Sequence, residues 1–254
     1  MMLTRLSFLT YNLWNTMRWS KREKALRAFF STFKPDVFCL QELRPETRNA
    51  LDDCLPGHRR VEDGFPGWEI ESNIYWNDSL LEEVEHGAED IGIYSDEYRR
   101  LFWVRLRVRQ TGETLLVSTA HYTHQEHPDE LRTGHSPRLD QAQRTAEALS
   151  RLVREGEPGF IMGDLNDPIV PALVLSQAGY QNCFAALGLL PPPTWPSLPT
   201  VEPSSLNPGT SETIDWILAN DRARPIAATV PHFYFEGASP SDHWPVQAVY
   251  ELNP

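Results

Sequence analysis

Short apolar runs of strand length recur along this chain, and each lies against an amide, carboxylate or imidazole side chain. FLTY leads into Asn12, VFCLQ into Glu42 and FIMG into Asp164; Asp215 sits within TIDWIL, and Asp242-His243 stand just before the last run at 245–251. Runs this short suit strands, and none approaches the roughly 20 apolar residues of a membrane span. A fold that gathers several strand ends at one edge converges their side chains on one site.

Between these runs the period changes. Residues 5–11 read as a strand, and Ser20 with Glu23 has capping-box spacing for a helix over 21–33. A second strand covers 36–41, and Pro45 opens another helix at its first position. Segments 69–76 and 101–108 alternate as strands do. The turn at Thr111-Gly112 joins the latter to 114–120 as a hairpin. From Ser136-Pro137 onward Leu139, Ala142, Ala146, Leu149 and Val153 recur at three- and four-residue steps, the apolar face of a helix. Strands at 159–163, 213–219 and 245–251 and a short helix at 170–178, closed by Gly179, complete the pattern. The stretch 191–208 holds seven prolines and cannot enter a sheet interior. Hairpins mixed with helices imply two packed sheets with helices outside, in one domain over 1–254.

Composition narrows the function. At 41% hydrophobic the chain can build a core. Lys and Arg number 23 against 35 Asp and Glu, a net charge of −12, which argues against a broad basic grip on nucleic acid. A phosphate substrate stays open, because clustered carboxylates recruit divalent cations from solution. Cys39, Cys54 and Cys183 are too few and scattered for a disulfide framework or zinc site. No export signal is visible, so a reducing, cytoplasmic setting is the expectation.

Each polar strand-end residue has a bland reading when taken alone. Asn12 is a turn former, Glu42 favours the dipole of the next helix, GDLND makes a solvated turn and SDH an Asx turn. Taken together they form an oxygen-rich set with a histidine nearby, suited to magnesium, with manganese or calcium possible, rather than zinc.

TYN at 10–12, QE at 41–42, TAH at 119–121, GDLND at 163–167, IDWIL at 214–218 and SDHWPV at 241–246 resemble, in order and spacing, the endonuclease/exonuclease/phosphatase superfamily with its DNase I-like fold. Arg138 and Gln141 resemble its R-x-x-Q helix motif. The resemblance implies a four-layer α/β/β/α sandwich, with two mixed sheets flanked by helices. It implies a metal held by Glu42, with Asn12 and Asp242 beside it. Asp164 would activate water, Asn166 would hold that water or the developing charge, and His243, aligned by Asp215, would bind the phosphoryl oxygen. His121 would be the second histidine, and Glu71 resembles the carboxylate that partners it. Glu71, Arg100 and Trp195 are expected on the substrate side.

The implied reaction is divalent-metal-dependent hydrolysis of phosphodiester bonds, nuclease-like. The alternatives are a phosphomonoesterase, a phospholipid- or sphingomyelin-type phosphodiesterase, and a silent phosphate-binding module. QELR at 41–44 departs from the QETK of abasic-site endonucleases, and their RRGYSG-like segment is absent. The pocket wall is expected from loop 191–208 and from Trp14, Trp19, Trp195 and Trp244, with His124 and His127 on a surface loop.

Overall fold

Central strands in this chain are apolar on both faces, and such strands need cover on both sides. The structure, a computed structural model, describes residues 4–92, 98–197 and 211–252. One six-stranded sheet runs in the order β11 (Ala223–Thr229), β12 (Val246–Leu252), β1 (Thr4–Asn12), β2 (Val37–Gln41), β4 (Ser72–Asn77), β3 (His58–Arg60). The other runs β5 (Leu81–Glu89), β6 (Leu101–Val108), β7 (Thr114–His121), β8 (Gly159–Asp164), β10 (Asp215–Ala219), β9 (Gln181–Asn182). Both are mixed, with β1 parallel to β2 and β7 parallel to β8.

Alternation along each strand sorts side chains into layers. Phe8, Cys39, Val117, Phe160, Met162 and Ile217 meet between the sheets, where Phe8 stacks on Phe160 at 4.2 Å. The outward Leu9, Phe38 and Leu40 pack against Leu26, Phe29 and Phe30 of α1 (Trp19–Thr32) and Leu51 of α2 (Pro45–Cys54). On the opposite side Leu116, Ile161 and Leu218 pack against Ala142 and Leu149 of α5 (Pro137–Leu152) and Leu175 of α6 (Val170–Gln177). This is the α/β/β/α sandwich. No helix of the described residues is long and apolar enough to cross a membrane.

Three local expectations need correction. Helix α1 begins at Trp19 behind a left-handed Arg18, and no side chain caps it. Glu23 instead pairs with Arg27 one turn on, at 2.9 Å. Segment 69–76 is not one strand: α3 (Gly67–Ile70) occupies its start, and β4 begins at Ser72. The edge strands β5 and β11 escaped the reading. The outward glutamates of β5 hide its period, and Pro225 of β11 is tolerated at a bulge on an edge.

Candidate active site

Strand register brings the strand-end residues together. On β7 and β8 His121 stands opposite Asp164, and Asp215 at the start of β10 stands opposite Asp164 on its other side. In the facing sheet Asn12 ends β1 opposite Gln41, with Glu42 next along the chain. Ser241 Oγ donates to the Asn12 carbonyl at 2.7 Å, tying the 241–243 segment to the end of β1. Beneath this edge Gln41 Nε2 donates to Thr119 Oγ1 at 2.9 Å, a buried polar bridge between the sheets. Gly163 lets the strands approach: a Cβ there would meet the Ala120 carbonyl oxygen at 2.1 Å.

Asp164 is the centre of the cluster. Its Oδ2 accepts from Asn12 Nδ2 at 2.9 Å, and it lies 3.5 Å from His121 Nε2 and 3.9 Å from His243 Nε2. Its Oδ1 accepts from the Asn166 backbone N–H at 2.9 Å. Asn166 has φ 52° and donates through Nδ2 to the Tyr122 carbonyl at 3.0 Å, so it also fixes the turn that follows β8. Asparagine tolerates that left-handed backbone well. Glu42 sits at φ 53°, where strain of about 1–3 kcal/mol is usual for such a residue. Neighbouring bonds hold it there, from the Leu43 N–H to the Glu71 carbonyl at 3.0 Å and from the Leu13 N–H to the Gln41 carbonyl at 2.9 Å.

Each histidine is backed by a carboxylate. His243 Nδ1 lies 2.8 Å from Asp215 Oδ2, and His121 Nδ1 lies 3.1 Å from Glu71 Oε1. Burial works against a charged His243, but Asp215, with Asp164 and Asp242 beyond it, holds its pKa well above the ordinary imidazole value. Asp215 is itself pushed up, by burial and by Asp164. The pair thus holds its proton tightly. Glu71 is also buried, which alone would raise it, but His121, Arg99 and Arg44 bring it down to about 2.

Two groupings could hold a cation. Asp164, Asp215 and His243 place one ligand atom each within 4.8 Å of one another, the tight three-group cluster among the described residues. The proton shared by His243 and Asp215 would have to leave before metal entered there. The other grouping is Glu42, Asn12 and Asp242. Glu42 meets only amides, Asn12 Nδ2 at 3.3 Å and Asn15 Nδ2 at 3.0 Å. Burial and then Glu42 push Asp242 up to about 6. Among the described residues neither carboxylate forms a direct ion pair with Lys or Arg, although His243 and the buried Arg22 nearby draw Asp242 partly back down. An oxygen-rich, under-neutralised pair of acids fits a hard divalent cation.

The structure also separates some expected partners. Arg100 turns away: its guanidinium lies 5.3 Å from the Phe65 ring and bonds the Arg99 carbonyl. Arg99 takes the inner place, with Nε 3.0 Å from Glu71 Oε1. Glu71 is 1% exposed and engaged with His121, Arg99 and Arg44, so it faces the histidine rather than the open side of the site. Trp244 is a core residue stacked on His232 at 4.6 Å, and Trp19, the first residue of α1, is half-buried against the helix-side core. Trp195 is half-buried beside the site, where its backbone bridges to Glu212. Residues 198–208 of the proline-rich loop lie outside the described residues. His124 is exposed, and His127 is buried at the N-cap of α4 (Pro128–Thr133).

Two residues at the site were not anticipated. Asn15, at φ 39°, reaches Glu42. Arg22 is fully buried and donates to the carbonyls of Met17, Trp14, Asn15 and Pro240 at 2.6–2.8 Å, with Trp14 and Trp19 rings each 5.5 Å away. It thereby locks the loop carrying Asn15 to the segment carrying Asp242. Arg138 does similar work across the site. It bonds the Thr123 and His124 carbonyls at 3.1 and 3.0 Å and reaches Asp167 at 3.4 Å, so it ties together the turns after His121 and Asp164.

Residues 9–243 match the sequence model of the Endonuclease/Exonuclease/phosphatase family. The chain belongs to this family. Membership supports phosphoester hydrolysis as its activity, and enzymes of the family generally use divalent metal ions. A family protein from Bacteroides thetaiotaomicron superposes with a TM-score of 0.79 at 18% identity, over 100% of each chain. Mannosyl-6-phosphatase from the same organism gives 0.78 at 18% identity, over 96% of this chain and 99% of that one. D. rerio TDP2 complexed with a single-strand DNA product gives 0.77 at 17%, over 97% and 99%. At such identities the likeness speaks for the fold. A search of curated protein sequences returns no match to this chain.

Proposed function

We propose that this family member hydrolyses phosphate esters with a divalent cation, using Asp164, His121 and His243 around a single phosphate. The observation that carries the reading is the pair of imidazole Nε2 atoms at 3.5 and 3.9 Å from Asp164 Oδ2, each ring backed by a buried carboxylate. Glu42, Asn12 and Asp242 would hold magnesium or manganese, which supplies Lewis-acid stabilisation of charge on the phosphoryl oxygens.

The chain's own groups do the rest. Asp164 orients and deprotonates the attacking water, and the Asn166 turn fixes the Asp164 carboxylate for that task. His243, kept charged by Asp215, donates from Nε2 to a phosphoryl oxygen as negative charge builds. His121, oriented by Glu71, donates from the other side. Loss of the charged His243 donor costs about 3–4 kcal/mol of barrier.

Diesters and monoesters would share this machinery, and the similar structures include both a DNA-bound protein and a sugar-phosphate phosphatase. The reading is tested with bis(para-nitrophenyl) phosphate and para-nitrophenyl phosphate in Mg²⁺ or Mn²⁺. Turnover should vanish with a chelator and return with metal. It should fall by about 10²–10³ in His243→Ala and at least as far in Asp164→Ala. Full activity in Asp164→Ala would overturn the assigned roles, and binding without turnover would leave a silent phosphate-binding module.

A further inference from the structure

The basic residues are unevenly spread. Residues 155–254 hold two, Arg222 and Arg224, against eleven acidic residues. That stretch supplies Asp164, Asn166, Asp215, Asp242 and His243, together with the described rim segments 165–169, 211–214 and 230–245. Both arginines stand at the far end of the sandwich. Strand β10 runs from Asp215 at the site to Ala219 opposite Phe160, and only then come Arg222 beside Asp221 and Arg224 on Glu251. Among the described residues this half of the rim therefore contributes no Lys or Arg of its own, and the cations that reach it from elsewhere are engaged, Arg138 with Asp167 and Lys24 with Glu236. It presents Glu212 and exposed aliphatic groups such as Ile169, 66% exposed.

Arginines near the two histidines in the other half are engaged. Arg44 and Arg99 serve Glu71, Arg138 serves Glu130 and Asp167, and Arg22 serves four carbonyls. Glu212 stands three residues before Asp215 and accepts from Gln125 Nε2 at 3.1 Å, itself four residues after His121. A carboxylate thus sits between the turn after β7 and the segment leading into β10.

We infer that the substrate is a compact phosphate ester whose alcohol part is uncharged, rather than a polynucleotide. This rests on the phosphoester-hydrolase reading above. A nucleic-acid strand threads further phosphates past both sides of the reacting one, and its grip comes from cations that neutralise them. Here one side offers Glu212 instead, which repels a second phosphate. An uncharged alcohol meets no such repulsion. The charge of the reacting phosphate is met separately, by the metal and His243.

The test compares kcat/KM, in Mg²⁺ or Mn²⁺, for hexose and glycerol phosphates, para-nitrophenyl phosphate and its bis ester, and short single- and double-stranded DNA and RNA. The polyol or aryl esters should exceed the oligonucleotides by about a hundredfold or more at low salt, where a polyanion is most favoured. The polyol and aryl arms decide whether the alcohol is hydroxylated or apolar. Glu212→Lys, a rim change outside the reacting groups, should raise the oligonucleotide rate severalfold and leave para-nitrophenyl phosphate unchanged. Oligonucleotides matching the small esters, with a steep loss in salt, would overturn the inference while the hydrolase reading stands. Failure to turn over either nitrophenyl ester would instead overturn the hydrolase reading.

Discussion

The two histidines of the site are built alike and wired differently. His243 and His121 both point Nε2 at Asp164 and both rest Nδ1 against a buried carboxylate. Asp215 has no arginine partner among the described residues and faces another acid, Asp164, so its charge is spent on His243. Glu71 spreads its charge over His121, Arg99 and Arg44. A carboxylate behind a histidine therefore does not fix the histidine's role; what else that carboxylate must neutralise does. In the proposed mechanism His243 is the charged donor, and the Glu71 network is a structural brace that also orients an imidazole.

The largest expected effect breaks the charged arm outright. His243→Ala should lower kcat by about 10³, while His121→Ala costs nearer 10–10², measured as steady-state rates at saturating metal. Equal losses would erase the distinction. Next comes Asp215→Asn, which keeps the shape and removes the charge. A raised His243 pKa keeps the imidazolium to high pH, so activity is lost only as pH rises through that value. Removing Asp215 should drag this alkaline limb of kcat/KM down toward the ordinary histidine value near 6.5 and lower the plateau by about 10–10².

Glu71→Gln sharpens the contrast from the other side, through stability. The folded pKa of about 2 lies below the usual carboxylate value of 4.5, so the ionised form stabilises the fold above pH 4.5. That stability is lost as pH falls toward 2 and amounts to about 3 kcal/mol. Denaturant melts of the wild type should show this slope, and the variant should start lower and lack it. A smaller effect is expected at Arg22→Lys. It leaves one charge but cannot serve four carbonyls, so the Asn15 loop loosens. Metal affinity, read by calorimetry, should weaken about 10-fold, with kcat at saturating metal changed less.

The parts of the site visible in the sequence were those that follow an apolar run directly. Asn12, Glu42, Asp164 and Asp215 stand at strand ends, and a strand end fixes position and direction at once. His243 precedes the last strand in the same way. Asn15 lies three residues into a loop with no period to place it. Arg22 falls within a charged helical stretch, KREK, and reads as a solvated face. It is buried because Trp14 and Trp19 flank it and four carbonyls need donors. Arg99 and Arg100 are adjacent and of one type, so the sequence offers no way to tell inward from outward. The sandwich itself was legible because its central strands are apolar on both faces. Its edge strands were not, because they bury one face or none.

Titration of the two imidazoles by NMR, with His243 and His121 assigned by substitution in the metal-free protein, tests the account most directly. The His243 ring should remain protonated through neutral pH and titrate well above 6.5, and in Asp215→Asn it should fall back toward that value. A His243 ring that is neutral at pH 7, or unchanged by Asp215→Asn, would contradict the account.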